Sequence, residues 1–492
     1  MPPDVAAPAE TDPLAAQLRA VQAAERASFH MPGHKGGRGA PALGVELLGS
    51  AAYEADVSEL AGFDYLHDAR TALAEAQARA ARLFGADRTW FLVNGATVGN
   101  LAALCGAVRD GEAVLVSRSS HRSVYAGLVV AGARPVYLDP IRNEELDVFV
   151  GVDPAQVEAA LVRDPGIRAV HVTSPSYYGF TLPLAEIAEV TARHGVPLIV
   201  DEAHGTHFAL HPDFPAPALA CGADVVVHSP HKTLGSLTQS SLLHLRGSRV
   251  DADRIGSALQ MLQSSSPSAL LLVSLSAAAD EMSLHGTELW SRALELARSA
   301  RERLAEAAGV RALGEELRSA AGIDDFDPTK LVVDVSALGV DGHEAARLLR
   351  ERWELNPEFA DLRRLVFSFS AGDDEATGAI LVDALLELGQ VATGAPAAPE
   401  RLVSRWPASL PEQALTPRQG TDADWETVPT EQAAGRICAE MIVPYPPGIP
   451  LLVPGEVVSA EVLHALHQLA DAGCRIVGPS DPDGLTLRCV RA

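Results

Sequence analysis

Two short segments carry residues whose types and spacing suit chemistry at the α-carbon of an amino acid. Val200-Asp201-Glu202-Ala203-His204-Gly205 and Val227-His228-Ser229-Pro230-His231-Lys232-Thr233 each begin in a β-branched run and end in polar residues, as strands do where they meet loops. One delivers a carboxylate and the other a lysine. A lysine that can form an imine and a carboxylate that can face a pyridinium nitrogen are the two groups pyridoxal phosphate most needs. Buried unpaired, Asp201 would be costly, and a protonated ring nitrogen would satisfy it. Ala203 is small enough to let a ring lie flat on that strand end. A third segment, Phe91-Leu92-Val93-Asn94-Gly95-Ala96-Thr97-Val98-Gly99-Asn100, reads as strand, turn and helix N-terminus. Unpaired amides there favour a phosphate, Gly95 lets the backbone approach it, and Thr97 adds a hydroxyl. Ser229 and His231 flank Lys232 and can bond the same phosphate. The turn is neither a GxGxxG dinucleotide loop nor a Walker A motif.

Histidines supply a rival reading. His204 and His207, and likewise His228 and His231, are spaced i, i+3, and with Asp201 they suggest a metal-dependent hydrolase. Neither pair lies in a clear helix, and no HExxH motif is present. The expected site holds no metal.

These side chains need strands and turns to position them. From about residue 60 to 245, helical stretches alternate with strand-like runs at Trp90–Val93, Ala113–Val116, Pro135–Leu138, Ala169–Thr173, Pro197–Val200 and Asp224–Val227. Thr71–Phe84 and Leu184–His194 read as helices between them. The alternation implies an α/β fold with a mostly parallel sheet covered on both faces, whose ligands bind at the carboxyl ends of strands. Asn94, Ser117, Ser174, Asp201 and Ser229 all stand at such ends. A long helical region, Pro267 to about Ala308, precedes a second set with strands Lys330–Val335 and Arg364–Phe369 and helices Gly342–Arg352 and Asp374–Leu388. The Ala- and Pro-rich tract Thr393–Thr421 reads as linker, and a helix is expected near Ala460–Ala472. The expected division is an N-terminal arm over 1–60, a large domain over 61–290, a small α/β domain over 291–395, a linker over 396–425 and a C-terminal module over 426–492.

Length and composition bound the rest. A chain of 492 residues exceeds one core, so two or three domains are expected. Lys+Arg 39 against Asp+Glu 64 gives a net charge of −25, which argues against nucleic acid or an anionic membrane as partner. Cys105, Cys221, Cys438, Cys474 and Cys489 are scattered and free of CxxC spacing, the pattern of reduced thiols in a cytoplasmic protein. The first twenty residues lack a basic stretch followed by an apolar one, so no signal peptide is expected, and no apolar run approaches a membrane span.

Eight stretches together carry a family resemblance: FHMPGHKGG at 29–37, FLVNGATVGN at 91–100, SSHRSVYAGL at 119–128, TSPSYYGF at 173–180, DEAHGTHF at 201–208, HSPHKTLGSLTQSS at 228–241, LQSSSPS at 262–268 and AEMIVPYPPGIPLLVPGE at 439–456. In these the chain resembles the fold-type-I pyridoxal-phosphate decarboxylases of the ornithine/lysine/arginine family, in their short bacterial form. HSPHKT with PYPPGIP separates that family from relatives like aspartate aminotransferase. The resemblance implies an aminotransferase-like large domain with smaller α+β C-terminal domains. It makes Lys232 the lysine that holds the cofactor, Asp201 the partner of the pyridine nitrogen, His121 the stack on the ring's face and His204 a neighbour of its phenolic oxygen. Ala96, Thr97, Ser229 and His231 would hold the phosphate, with Ser264 contributed by a second subunit. His34 and Lys35 would line the pocket's entrance. A homodimer or a small multiple of it is expected, because the chain begins almost directly at the core, without the wing domain of large relatives.

The implied reaction is decarboxylation of lysine, arginine or ornithine to the amine and carbon dioxide, and polyamine biosynthesis, acid resistance and a natural-product pathway all stay open as its setting. His231 or Lys232 would return the proton to the α-carbon. Glu358, Asp361 and Glu456 are the candidate carboxylates for the substrate's distal cation. The segment Asp64–Arg70 departs from the family's usual acidic-glycine pattern near the pocket mouth, which leaves the substrate open among the three. Two other readings stand beside this one: the same cofactor site directing transamination or oxygen-dependent oxidation, and a non-catalytic regulatory homologue, against which the intact Lys232 and Asp201 argue.

Overall fold

The apolar runs between residues 88 and 228 become strands within two residues of their expected bounds, because each is short, strongly apolar and suited to a sheet covered on both faces. In the computed structural model, which describes residues 12–24, 27–58, 60–307, 309–391, 403–446, 448–481 and 484–491, they are β1 Arg88–Leu92, β2 Ala113–Ser117, β3 Arg134–Leu138, β4 Ile167–Thr173, β5 Leu198–Asp201 and β6 Val225–His228. A seventh strand, β7 Ser241–Leu245, escapes the sequence reading. Its Ser-Leu-Leu-His-Leu contains no β-branched residue, yet all five residues are buried. It runs antiparallel between β1 and β6, giving the order β1-β7-β6-β5-β4-β2-β3. Strands β2 to β6 are mutually parallel.

Side chains alternate between two cores, as the two-residue period of a strand requires. Leu115, Val170, Val172, Leu198, Val200 and Val226 face one. Val114, Val116, Ala169, Ile199, Val225 and Val227 face the other. The N-terminal helix Pro13–Ala24 is fastened to the first core by Leu14 and Leu18. The 36-residue helix Ala269–Leu304 joins two units. Its part up to Ala293 belongs to the core of the large sheet. Ala297, Ala300 and Leu304 belong to a separate core, so the expected boundary at 290 falls inside one continuous helix.

That second core lies under a four-stranded antiparallel sheet, Arg311–Ala312, Lys330–Asp334, Arg364–Ser368 and Phe359–Ala360, covered by helices Gly342–Trp353 and Glu375–Val391. The first part of the expected linker, up to residue 402, lies outside the described residues. From Val403 the chain is packed: Val403 and Trp406 are buried, and Arg418 of the helix Pro417–Asp422 donates to Val129 O at 2.8 Å and pairs with Asp110 at 2.8 Å. The C-terminal module pairs Trp425–Pro429 with Thr486–Val490 and Val443–Tyr445 with Arg475–Val477, with helix Ala460–Asp471 across them. All five cysteines are free. Among the described residues no helix is long and apolar enough to cross a membrane.

Candidate active site

The carboxyl ends of β2, β4, β5 and β6 open into one cavity of about 510 Å³. Asp201, the last residue of β5, is buried at its wall. One carboxylate oxygen accepts Asn100 Nδ2 at 2.8 Å and the other accepts the Ala203 amide at 3.2 Å. Lys232 leaves the short helix Pro230–Thr233 that follows β6, and its Nζ reaches 2.8 Å from His204 Nε2. Burial pushes the Lys232 pKa below 10.5, against the raising pull of Asp201 and Glu358. Burial holds His204 well below 6.5, and Lys232 and Lys330 push it in the same direction.

His121 caps the helix Arg122–Ala131, its Nδ1 accepting the Ser123 amide at 3.3 Å, and it shares the cavity with Asp201, Ala203, His204 and Lys232. Burial lowers its pKa while Asp201 raises it. Opposite lies the turn after β1. Gly95 has φ +71, a conformation that favours glycine, and the helix Gly95–Ala107 starts there with Ala96 and Thr97 on the cavity wall. Ser229 and His231 line the same wall. His231 Nδ1 donates to Ser240 O at 2.6 Å, and burial lowers its pKa. The Ser229 hydroxyl is buried without a hydrogen-bond partner. A buried orphan hydroxyl beside a helix N-terminus fits the phosphate of pyridoxal phosphate. The distal Asp201 fits its ring nitrogen, and Lys232 between them fits its aldehyde.

Ser264 is the one expected cofactor residue outside this cavity. It is exposed, its amide donates to Asn94 Oδ1 at 3.3 Å, and its carbonyl meets His67 Nε2 at 2.9 Å. Tyr65 donates to the next carbonyl, Ser265 O, at 3.1 Å, so the segment Asp64–Arg70 braces the Ser264 loop. His34 lies against Asp56 at 3.2 Å and Lys35 donates to His30 O, away from the cavity wall.

All three candidate carboxylates for a distal cation have partners within the protein itself. Glu456 is fully buried and held by Arg118. Asp361 is buried and accepts Tyr178 OH at 2.6 Å and Arg364 at 3.1 Å. Glu358 instead lines a second cavity of about 510 Å³ that shares His204 and Lys232 with the first. It pairs with Lys330 at 2.5 Å and stands 3.6 Å from His204 Nδ1. The histidine pairs form no metal site: His207 stacks on Trp290 at 4.4 Å and faces Asp327 at 3.0 Å, while His228 bonds Glu202 at 2.8 Å. Among the described residues no group of three or more His, Cys, Asp or Glu is arranged to hold a metal.

Asn100 is the contact that sequence reasoning missed. Its amide donates to Ser123 Oγ at 2.9 Å as well as to Asp201, and its oxygen meets His171 Nε2 at 3.3 Å. The available signal was a lone asparagine on the face of a helix otherwise buried through Val98, Ala102, Ala103 and Leu104.

Comparison with known proteins identifies the family. The sequence model of the Orn/Lys/Arg decarboxylase major domain matches residues 12–377, and that of the family's C-terminal domain matches residues 400–476. The arginine decarboxylase of Bacillus subtilis is 35% identical over 482 residues, covering 97% of each chain. That of Halalkalibacterium halodurans is 36% identical over 94% of each. The solved structure of lysine decarboxylase A from Pseudomonas aeruginosa superposes with a TM-score of 0.84 at 25% identity, over 97% of this chain and 80% of that one. Both family domains are matched in order on a fold-type-I frame, and the chain belongs to the Orn/Lys/Arg decarboxylase family.

Proposed function

We propose that this protein is a pyridoxal-phosphate-dependent decarboxylase of arginine. The observation that carries the cofactor assignment is the placement of Asp201, Lys232 and the orphan Ser229 hydroxyl around one cavity. Arginine is favoured among basic amino acids because the arginine decarboxylases cited above align over nearly their whole length. Glu358, which shares a cavity with Lys232 and His204 and is paired there with Lys330, is the carboxylate proposed for the guanidinium, which pairs well with a planar carboxylate.

Pyridoxal phosphate supplies, when bound, an electron sink for the charge left at the α-carbon as carbon dioxide departs. Asp201, fixed by Asn100, would keep a proton on the ring nitrogen. His121 would cover the ring's face and exclude water from it, and Ala203 leaves the opposite side flat. Ala96, Thr97, Ser229 and His231 would hold the phosphate, and His204 would sit by the phenolic oxygen. With Nδ1 held by Ser240 O, His231 would have only its other ring nitrogen left, which would serve the phosphate. That leaves Lys232 Nζ to return the proton to the α-carbon.

The working unit is proposed as a cytoplasmic homodimer in which Ser264 of one copy completes the phosphate site of the other. Its support is the apolar N-terminal segment, with Phe29 91%, Met31 73%, Leu43 64%, Leu47 73% and Leu48 66% exposed in the single chain. So many large apolar side chains left exposed within twenty residues suit an interaction site. The product, agmatine, is a polyamine precursor.

The test is to incubate purified, cofactor-loaded protein separately with arginine, lysine and ornithine, and to quantify carbon dioxide and amine together. Equal amounts of carbon dioxide and agmatine from arginine are expected, with none from Lys232→Ala. Cadaverine or putrescine instead would change the substrate. Consumption of amino acid without carbon dioxide would overturn the reaction itself.

A further inference from the structure

Two loops far apart in the chain form adjoining walls of the cofactor cavity. Ser119–His121 follows β2, whereas Gly448 and Ile449 come from the C-terminal module. Arg118 stands between them, 1% exposed, against Glu456, 0% exposed. The fork is bidentate: its two terminal nitrogens donate to the two carboxylate oxygens at 2.6 and 2.8 Å. The remaining N–H groups reach Pro450 O at 3.0 Å and Leu451 O at 3.3 Å. Glu456 in turn accepts the Val453 amide at 2.9 Å. On the near side, Tyr125 OH donates to Arg118 O at 2.7 Å, and the Tyr137 ring lies 4.8 Å from the guanidinium.

A fully buried ion pair adds little net stability, because desolvation offsets most of the Coulomb gain. What it adds is placement, since a planar fork on a carboxylate admits one relative arrangement. Here Arg118 stands three residues before His121, and its backbone partners Pro450 and Leu451 stand one and two residues after Ile449. The same module meets the site again through Tyr445, next to Tyr177, whose ring packs edge-on against His204 at 5.1 Å.

We propose that Arg118 and Glu456 are positioning residues for catalysis, which set the Gly448–Ile449 wall against the loop bearing His121, so that the C-terminal module completes the cofactor cavity of its own chain. This rests on the cavity being the pyridoxal phosphate site.

The decisive measurement is amide hydrogen exchange on the full-length wild-type protein, with and without pyridoxal phosphate. The amides of 451–456 are expected to exchange about tenfold more slowly on loading. Unchanged exchange there, with the cofactor's visible absorbance present, overturns the proposal. Absence of that absorbance overturns the cofactor reading instead. A second arm replaces the pair by apolar groups of similar volume, Arg118→Met with Glu456→Met. This variant is expected to keep its far-ultraviolet circular dichroism and melting temperature while binding pyridoxal phosphate about tenfold more weakly. Its visible-region circular dichroism is expected to fall as well. Wild-type affinity and an unaltered visible spectrum in the folded variant also overturn the proposal, and if the variant does not fold, the exchange measurement decides alone.

Discussion

Lys232 opens onto the cavity that His204 and Asp201 share, and its chemistry follows from which charges stand nearby. Burial lowers its pKa, and Glu358 is one of the two carboxylates that pull it back up. Removing that carboxylate must therefore lower it further. The rate at which cofactor-free protein captures pyridoxal phosphate is expected to rise at lower pH in Glu358→Gln than in wild type. A shift of the profile to higher pH would contradict this. Lys232→Ala is expected to abolish turnover and the visible cofactor band together, whereas Asp201→Ala should keep some cofactor and lose most of the rate. Asn100→Ala leaves Asp201 without its 2.8 Å amide partner and is expected to reduce kcat by about tenfold to a hundredfold while cofactor still binds. Full activity in that variant would show that the carboxylate needs no such support. Asp201 and Lys232 were legible in the sequence because each advertises itself locally, at the end of an apolar run. Glu456 was misread as a candidate for the substrate because its partner lies 338 positions away, and no local pattern announces a contact of that range.

The sheet owes its lateral coherence to more than its backbone. A polar ladder crosses it from Glu202, just after β5, to β1. Glu202 meets His228 at 2.8 Å, His228 meets His244 at 3.1 Å, and His244 meets Thr89 at 2.7 Å. Burial pushes Glu202 well above 4.5 and His228 down to about 3, so the neutral forms are favoured at both ends of that contact. His171 in β4 is pushed down to about 4 by burial. In the unfolded chain such histidines take a proton near pH 6.5, before the folded state does. The histidines' contribution to stability is then full above that pH and falls as pH drops toward the folded values, each histidine costing about 1.4 kcal/mol per pH unit, while the raised Glu202 acts in the opposite direction and offsets one of them. Thermal melting followed from pH 7 to 5 should show the midpoint falling steadily below 6.5, and a flat profile would exclude charge-neutral burial. None of this ladder was legible, since one of its rungs sits on β7, the strand that lacks β-branched residues. The parallel strands were legible for the opposite reason: burial on both faces demands uninterrupted apolar runs.

At the scale of the whole molecule, the sequence reading took residues 396–425 as a linker and 426–492 as a C-terminal module. From Val403 onward the chain is packed instead, through Val403, Trp406, Arg418 and the Arg118–Glu456 pair. The exposed apolar segment around Leu43 and Leu47 is the complementary case, unburied within one chain. Leu43→Asp with Leu47→Asp is expected to convert a dimer into monomers in sedimentation and to weaken cofactor retention, because Ser264 would no longer reach a second site. Retained dimers would place the interface elsewhere. The sequence distance between Arg118 and Glu456 also sets a clock. At a synthesis rate of about 5–20 residues per second, the 338 intervening positions take about 17 to 70 s to appear. Once residue 232 is added, the nascent chain holds the lysine, the aspartate and the phosphate turn, yet carries an arginine destined for burial with no carboxylate to meet it. The pair that joins the two walls of the cavity can therefore close only after more than nine-tenths of the chain has been made.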